Sequence, residues 1–211
     1  GVDAALKVSA NVGRWDVAAY AAIMKSRERR DFADAQGLHF DRPRLRHLGA
    51  SLTGNVASGV LWMEAALRHV DAGRVGVVDR MFLGSSAKFI VGYSRDLADE
   101  VTASAQLQVE TALDRGRYEQ SLAPGVRPVA QLAPMLHLRM QGHWVNQTVG
   151  AGAQLFAGTK GDLHVNPFAS WSPVDGWTLE AGANLFRGRP DTRFGALRHD
   201  SNVYASARYS Y

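Results

Sequence analysis

The chain lacks cysteine altogether. It therefore has no disulfide framework and no Cys-ligated zinc or iron–sulfur site. It lacks any apolar run near the ~18 residues of a membrane-spanning helix, and helical periodicity is poor along nearly its whole length. Proline is scarce at 7 residues, while glycine reaches 21. Gly1-Val2-Asp3 begins no secretory signal, so the expectation is that a signal was never present or has been removed. Apolar residues are plentiful, at 46%, which excludes a largely disordered chain. The net charge is +4, and 20 of the 24 basic residues are arginine. That balance suits nucleic acid, an anionic membrane surface or an acidic ligand. Nucleic acid would need a basic groove with stacking aromatics or a recognisable module, and the sequence shows neither.

What recurs instead is alternation. Val101-Thr102-Ala103-Ser104-Ala105-Gln106-Leu107-Gln108-Val109-Glu110 places Val, Ala, Ala, Leu and Val on one face and polar residues on the other. A period of two is a strand signal. Segments 177–185 and 202–211 repeat it. Such stretches predict eleven strands: 4–12, 15–25, 45–53, 60–69, 86–95, 100–112, 129–141, 145–157, 163–172, 177–187 and 202–211. No linker interrupts them, so residues 1–211 read as a single domain. Short connections (12–15, 53–58, 95–99, 142–145, 173–176) alternate with long ones (26–44, 70–85, 113–128, 188–201), with 158–162 short where a long one is due. Short turns at one end and long loops at the other are the layout of an outer-membrane barrel. The fold class expected is all-β, an antiparallel up-and-down transmembrane β-barrel of 11–12 strands.

The aromatic residues fit that layout. Trp15, Trp62, Trp144, Trp171 and Trp177 all lie within a few residues of a short turn, and Tyr93, Tyr209 and Tyr211 end strands running the same way. These eight are expected to form a membrane-interface girdle, where a ring apolar on one side and polar on the other is at home. Trp62 is the odd one, because alternation puts it on the polar face of its strand. Arginines gather at the opposite, long-loop end, among them Arg27, Arg29, Arg74, Arg80, Arg127, Arg189, Arg193 and Arg198. Lipopolysaccharide phosphates are the partner expected there, since Arg grips phosphate with two donors.

The last strand resembles the carboxy-terminal assembly signal of Gram-negative outer-membrane proteins. Val203, Ala205, Ala207, Tyr209 and Tyr211 fill its apolar positions, with Tyr where Phe is usual. More loosely, Gly13-Arg14-Trp15-Asp16-Val17-Ala18-Ala19-Tyr20 resembles uncharacterised porin-like barrels of proteobacteria. The resemblance implies the bacterial outer membrane, a lipid bilayer around the chain and the barrel-assembly machinery during biogenesis. Such barrels usually have an even strand number. Eleven strands therefore imply either the carboxy-terminal part of a larger barrel or a twelfth strand within 26–44.

With the apolar face given to lipid, the residues expected to line a pore are Lys7, Asp16, Glu64, Arg68, Lys88, Glu110, His137, Arg139, His164, Glu180 and Arg208. Facing charges of both signs would set ion selectivity, or in a narrow barrel would pair into a plug. The expected function is a porin-like channel for passive passage of small solutes. The alternatives are a plugged barrel that anchors a structure or serves export or assembly, with the long loops contacting a protein partner, and an outer-membrane lipid hydrolase. The expectation is no enzyme and no catalytic residues. None of the seven histidines has metal-motif spacing and no Gly-x-Ser-x-Gly elbow is present, so neither metal nor cofactor is expected. A hydrolase would need a Ser and a His within reach near the outer rim. A soluble barrel with an apolar ligand inside is a further possibility, because alternation does not say which face points inward. Gly158-Thr159-Lys160-Gly161 lacks the frame of a phosphate loop and reads as a hairpin tip.

Overall fold

The structure, a computed structural model, describes residues 3–25, 30–34, 37–42, 44–71, 84–120, 128 and 130–210. Alternating stretches become strands because successive side chains point to opposite faces, so a period-two sequence sorts itself into two distinct faces. In chain order these are β1 (Ala4–Val12), β2 (Trp15–Lys25), β3 (Arg30–Asp34), β4 (Gly37–Asp41), β5 (Arg44–Val56), β6 (Gly59–Asp71) and β7 (Ser86–Ala98). They continue with β8 (Val101–Ala112), β9 (Leu132–Trp144), β10 (Val149–Ala157), β11 (Leu163–Trp171), β12 (Trp177–Arg187) and β13 (Asn202–Tyr209). A short helix, α1 (Arg115–Gln120), follows β8, and one 3-10 turn lies at Gly195–Leu197.

Eleven strands form one antiparallel up-and-down sheet in the order β1-β2-β5-β6-β7-β8-β9-β10-β11-β12-β13. β3 and β4 make a separate two-stranded sheet. The segment in which a twelfth strand was sought thus holds a hairpin of its own.

Four strands, β5, β6, β7 and β9, outrun their expected ends, in part because the β5–β6 and β7–β8 connections are tighter than the sequence suggests. β5 and β6 are joined by Ala57 and Ser58 alone, both left-handed (φ 46° and 61°), the geometry of a two-residue hairpin turn. The β9–β10 turn is displaced from the expected 142–145 to 145–148, where Val145, Asn146 and Gln147 are left-handed. Gly142, read as a turn glycine, instead stays in β9, because the Trp144 ring occupies the space its Cβ would fill.

Contacts divide the chain into two compact units. One comprises Gly1–Gly54, Trp62–Ile90 and Val109–Ala133, the other Asn55–Leu61, Val91–Gln108 and Pro134–Tyr211. In the first, Leu6↔Ala21, Val8↔Ala19, Ala10↔Val17, Val17↔Leu52 and Ala21↔Leu48 stack apolar pairs on one face. In the second, Ala151↔Ala169, Leu155↔Val165, Ala181↔Ala205 and Ala183↔Val203 do the same.

Exposure on these faces is the reverse of a soluble protein's. Along β12 the exposed residues include Leu179, Ala181 and Leu185, while Thr178, Glu180, Asn184 and Phe186 between them are partly covered. Val203 on β13 is 84% exposed and Leu6 on β1 67%. Among the described residues, the buried hydrophobic ones are only Ala18, Val70 and Ala112, and no large side chain is fully buried.

Candidate functional site: the polar faces and their aromatic ends

In the first unit the polar face is built by register. Lys7 lies opposite Tyr20, Asn11 opposite Asp16, and Asp16 opposite Thr53. The Tyr20 ring lies over Gly49, in the space a Cβ there would take, and its Oη donates to Glu64 Oε1 at 2.7 Å. Glu64 therefore shares the face of Lys7 and Tyr20, and Arg68 follows it at the same parity along β6. Arg68 Nη2 reaches the Gly84 carbonyl at 3.5 Å, leaving its Nε, like His47 Nε2, buried without a hydrogen-bond partner. Lys88 and Glu110 occupy the polar parity of β7 and β8.

In the second unit the polar face carries a row of rings and a ladder of amides. Phe156 pairs with His137 on one side and His164 on the other, and His164 with Phe186. The His137 and Phe156 rings stack at 4.1 Å between centroids, and His164 and Phe186 at 4.5 Å. Asn166 Nδ2 donates to Asn184 Oδ1, and Asn184 Nδ2 to Asn202 Oδ1 at 3.1 Å, while His164 Nε2 lies 3.1 Å from Asn184 Oδ1. Glu180 accepts from Tyr204 Oη, and Arg208 sits opposite Thr178. His137 and Arg139, neighbours on one face, part company: Arg139 turns to Gln141 while His137 stacks on Phe156.

The 188–201 connection reaches this row. Phe194 lies 5.4 Å from His164 and 6.1 Å from Phe156, ring centre to ring centre. It is held there by Asp162, 7% exposed, whose Oδ1 accepts from the Phe194 and Gly195 N–H groups at 2.8 and 3.0 Å. The sequence reading named neither Asp162 nor Phe194. Phe156 and Phe186 were legible as aromatics at polar parity, but Asp162 carried no sequence signal. Residues 158–162 are a hairpin tip as expected, with Lys160 and Gly161 left-handed.

The aromatic ends of the strands follow a common rule. Trp15, Tyr93, Trp144, Trp171, Trp177 and Tyr209 share the apolar parity of their strands, and Trp62, at the parity of Glu64, does not. Several lie on a glycine: Trp15 on Gly54, Trp144 on Gly142, Tyr209 on Gly176. Tyr93 Oη closes the β5–β6 turn by donating to the Val56 and Ala57 carbonyls. Trp177 and Tyr209 meet at 5.3 Å. Within the terminal strand, Val203, Ala205, Ala207 and Tyr209 keep the apolar parity, and Tyr211 lies outside the described residues, as do Arg27, Arg29, Arg74, Arg80 and Arg127.

No helix of the described residues is long and apolar enough to cross a membrane. Among those residues no group of three or more His, Asp or Glu is placed to hold a metal. No family model matches the chain, and no curated protein does. The chain is similar to a solved structure described as "Unveiling the Mechanism Behind the in-meso Crystallization of Membrane Proteins", at 10% identity over 99% of this chain and 82% of that one. The TM-score is 0.35, a level at which the likeness carries no argument about fold or function.

Proposed function

We propose that this chain is a transmembrane β-barrel of the bacterial outer membrane that acts as a porin-like channel for small solutes. The observation that carries the reading is the reversed exposure: apolar faces turned to the surroundings, and polar faces that carry stacked rings and hydrogen-bonded amides. Water penalises contiguous exposed apolar surface beyond a few hundred Å², and lipid does not. The aromatic ends suit the two-sided chemistry of a membrane boundary. The same exposure argues against a soluble barrel with its apolar face inward. Exposed Arg187, Arg189, Arg193 and Arg198, about the 188–201 connection, suit lipopolysaccharide phosphate.

The polar-face candidates carry five cations (Lys7, Arg68, Lys88, Arg139, Arg208) and four carboxylates (Asp16, Glu64, Glu110, Glu180) with histidines neutral. A weak anion preference follows. Single-channel recording in a planar bilayer under a salt gradient tests this: stable steps with a small anion-selective reversal potential are expected. Silence from folded protein would sink the channel. The plugged alternative has its own support in Phe194, which a connection carries onto the polar face. If that contact closes the lumen, Phe194→Ala conducts where the parent chain is silent.

A further inference from the structure

Away from the polar face, on the opposite parity of β6, four side chains of the first unit meet at the strand ends. His69 and Asp71 stand two apart on β6, so they share a face, and His69 Nε2 lies 3.3 Å from Asp71 Oδ1. Arg46 of β5 fixes the other carboxylate oxygen, Nη2 to Oδ2 at 2.9 Å. The second ring nitrogen, His69 Nδ1, lies 3.2 Å from the Oγ of Ser85, the residue before β7. Three further hydrogen bonds hold the serine: Val70 N–H donates to its Oγ, its own N–H donates to the Asp114 carboxylate Oδ2, and its carbonyl accepts from Leu113 N–H.

This sets a hydroxyl, an imidazole and a carboxylate in series, the hydroxyl hydrogen-bonded to one ring nitrogen and the carboxylate 3.3 Å from the other, the order a serine nucleophile requires. With Nε2–H directed at Asp71, Nδ1 presents its lone pair to the Ser85 hydroxyl. An apolar groove of about 500 Å³ lies on the same strands, lined by Leu48, Ala65, Leu67, Ala87 and Phe89 among others. Leu48, Leu67 and Ala87 each sit two residues along from Arg46, His69 and Ser85, on three adjacent strands. The groove lining thus comes within two residues of the polar cluster on each of these strands, the spacing an acyl chain next to its ester would need.

We propose that Ser85, His69 and Asp71 form a hydrolytic site for the carboxylic esters of acyl lipids. Ser85 Oγ bonds to the ester carbonyl carbon as His69 Nδ1 takes its proton. The carbon–oxygen bond to the alcohol then breaks, and the alcohol leaves with the proton from His69. Water, deprotonated by the same imidazole, attacks the acyl-serine, releases the fatty acid and returns the proton to Ser85. Ser85 is 3% exposed, so a bound ester has to displace part of its cover. The lipid source of the ester rests on the membrane reading, whereas the Ser–His–Asp chemistry does not.

The test uses the full chain folded in detergent. A small alkyl fluorophosphonate should add to Ser85, seen by intact mass and peptide mapping. Ser85→Ala should abolish labelling and Ser86→Ala preserve it. Hydrolysis of p-nitrophenyl octanoate should exceed that of the acetate at least tenfold. His69→Ala and Asp71→Asn should each slow it on the order of 10³–10⁴-fold, with strand content unchanged by circular dichroism. Unlabelled Ser85 in the folded parent chain overturns the proposal, as does labelling that survives His69→Ala. Labelled Ser85 in a chain that never conducts would count against the channel alone, and an open pore with inert Ser85 would count against the hydrolase alone.

Discussion

Asp162 shows how much one side chain can hold. Its carboxylate is the acceptor for two backbone N–H groups of the 188–201 connection, and a hydrogen bond to a charged group contributes about 1.5–3 kcal/mol. Asp162→Ala should free that connection by about 3 kcal/mol while the strands persist. Limited trypsinolysis at Arg193 and Arg198 reads this directly, and unchanged cutting would count against the pin. Asp191 adds a weaker, pH-sensitive tie, with Lys160 Nζ at 3.5 Å and Arg189 Nε at 3.1 Å. Desolvation, the largest single influence, acts to raise its carboxyl pKa. Its own backbone N–H, Arg189 and Lys160 outweigh that and hold it below the ordinary 3.8. A depressed folded-state value stabilises above the unfolded pKa and is lost as pH falls through the folded one. Hydrogen exchange in 189–192 should thus be insensitive to protonation of Asp191 near neutrality, and should show the tie loosening only below the usual carboxylate range.

At the scale of elements, β12 offers the sharpest contrast between lipid and water. Ala181 is exposed, on the apolar parity, between Ala169 and Ala205. Facing lipid near mid-depth, Ala181→Arg should destabilise the folded chain by about 2–4 kcal/mol. Facing water it should change stability by under about 0.5 kcal/mol. Urea unfolding in phospholipid vesicles separates the two. The strands themselves were legible in the sequence because alternation is a local property: 4–12, 15–25 and 177–187 were read with the bounds observed. Turn positions were less legible where non-glycine residues adopt the left-handed conformation, as at Val145–Gln147. Glycine misled at 142, where it makes room for a ring instead of a turn. The polar-face residues could be listed by parity, yet not their partners. Tyr20–Glu64 and His137–Phe156 depend on strand register, and Ser85–His69 joins residues 16 apart in sequence, a spacing that says nothing of where they meet.

For the whole molecule, the placement of the indole side chains has a spectroscopic consequence. The chain's five tryptophans, Trp15, Trp62, Trp144, Trp171 and Trp177, all belong to strand ends beside short connections. If the proposed barrel inserts uniformly into sealed vesicles, its tryptophan emission would come from one leaflet. Iodide added outside would then quench either most of the emission or little of it, according to which way the chain had inserted. Lipids brominated near the headgroup would quench more strongly than those brominated at the chain terminus. Equal quenching by the two would mean that the indoles are not held at one depth. A chain that inserts as proposed would thus carry its own reporter of orientation, and its folding into a bilayer could be timed without attaching a dye.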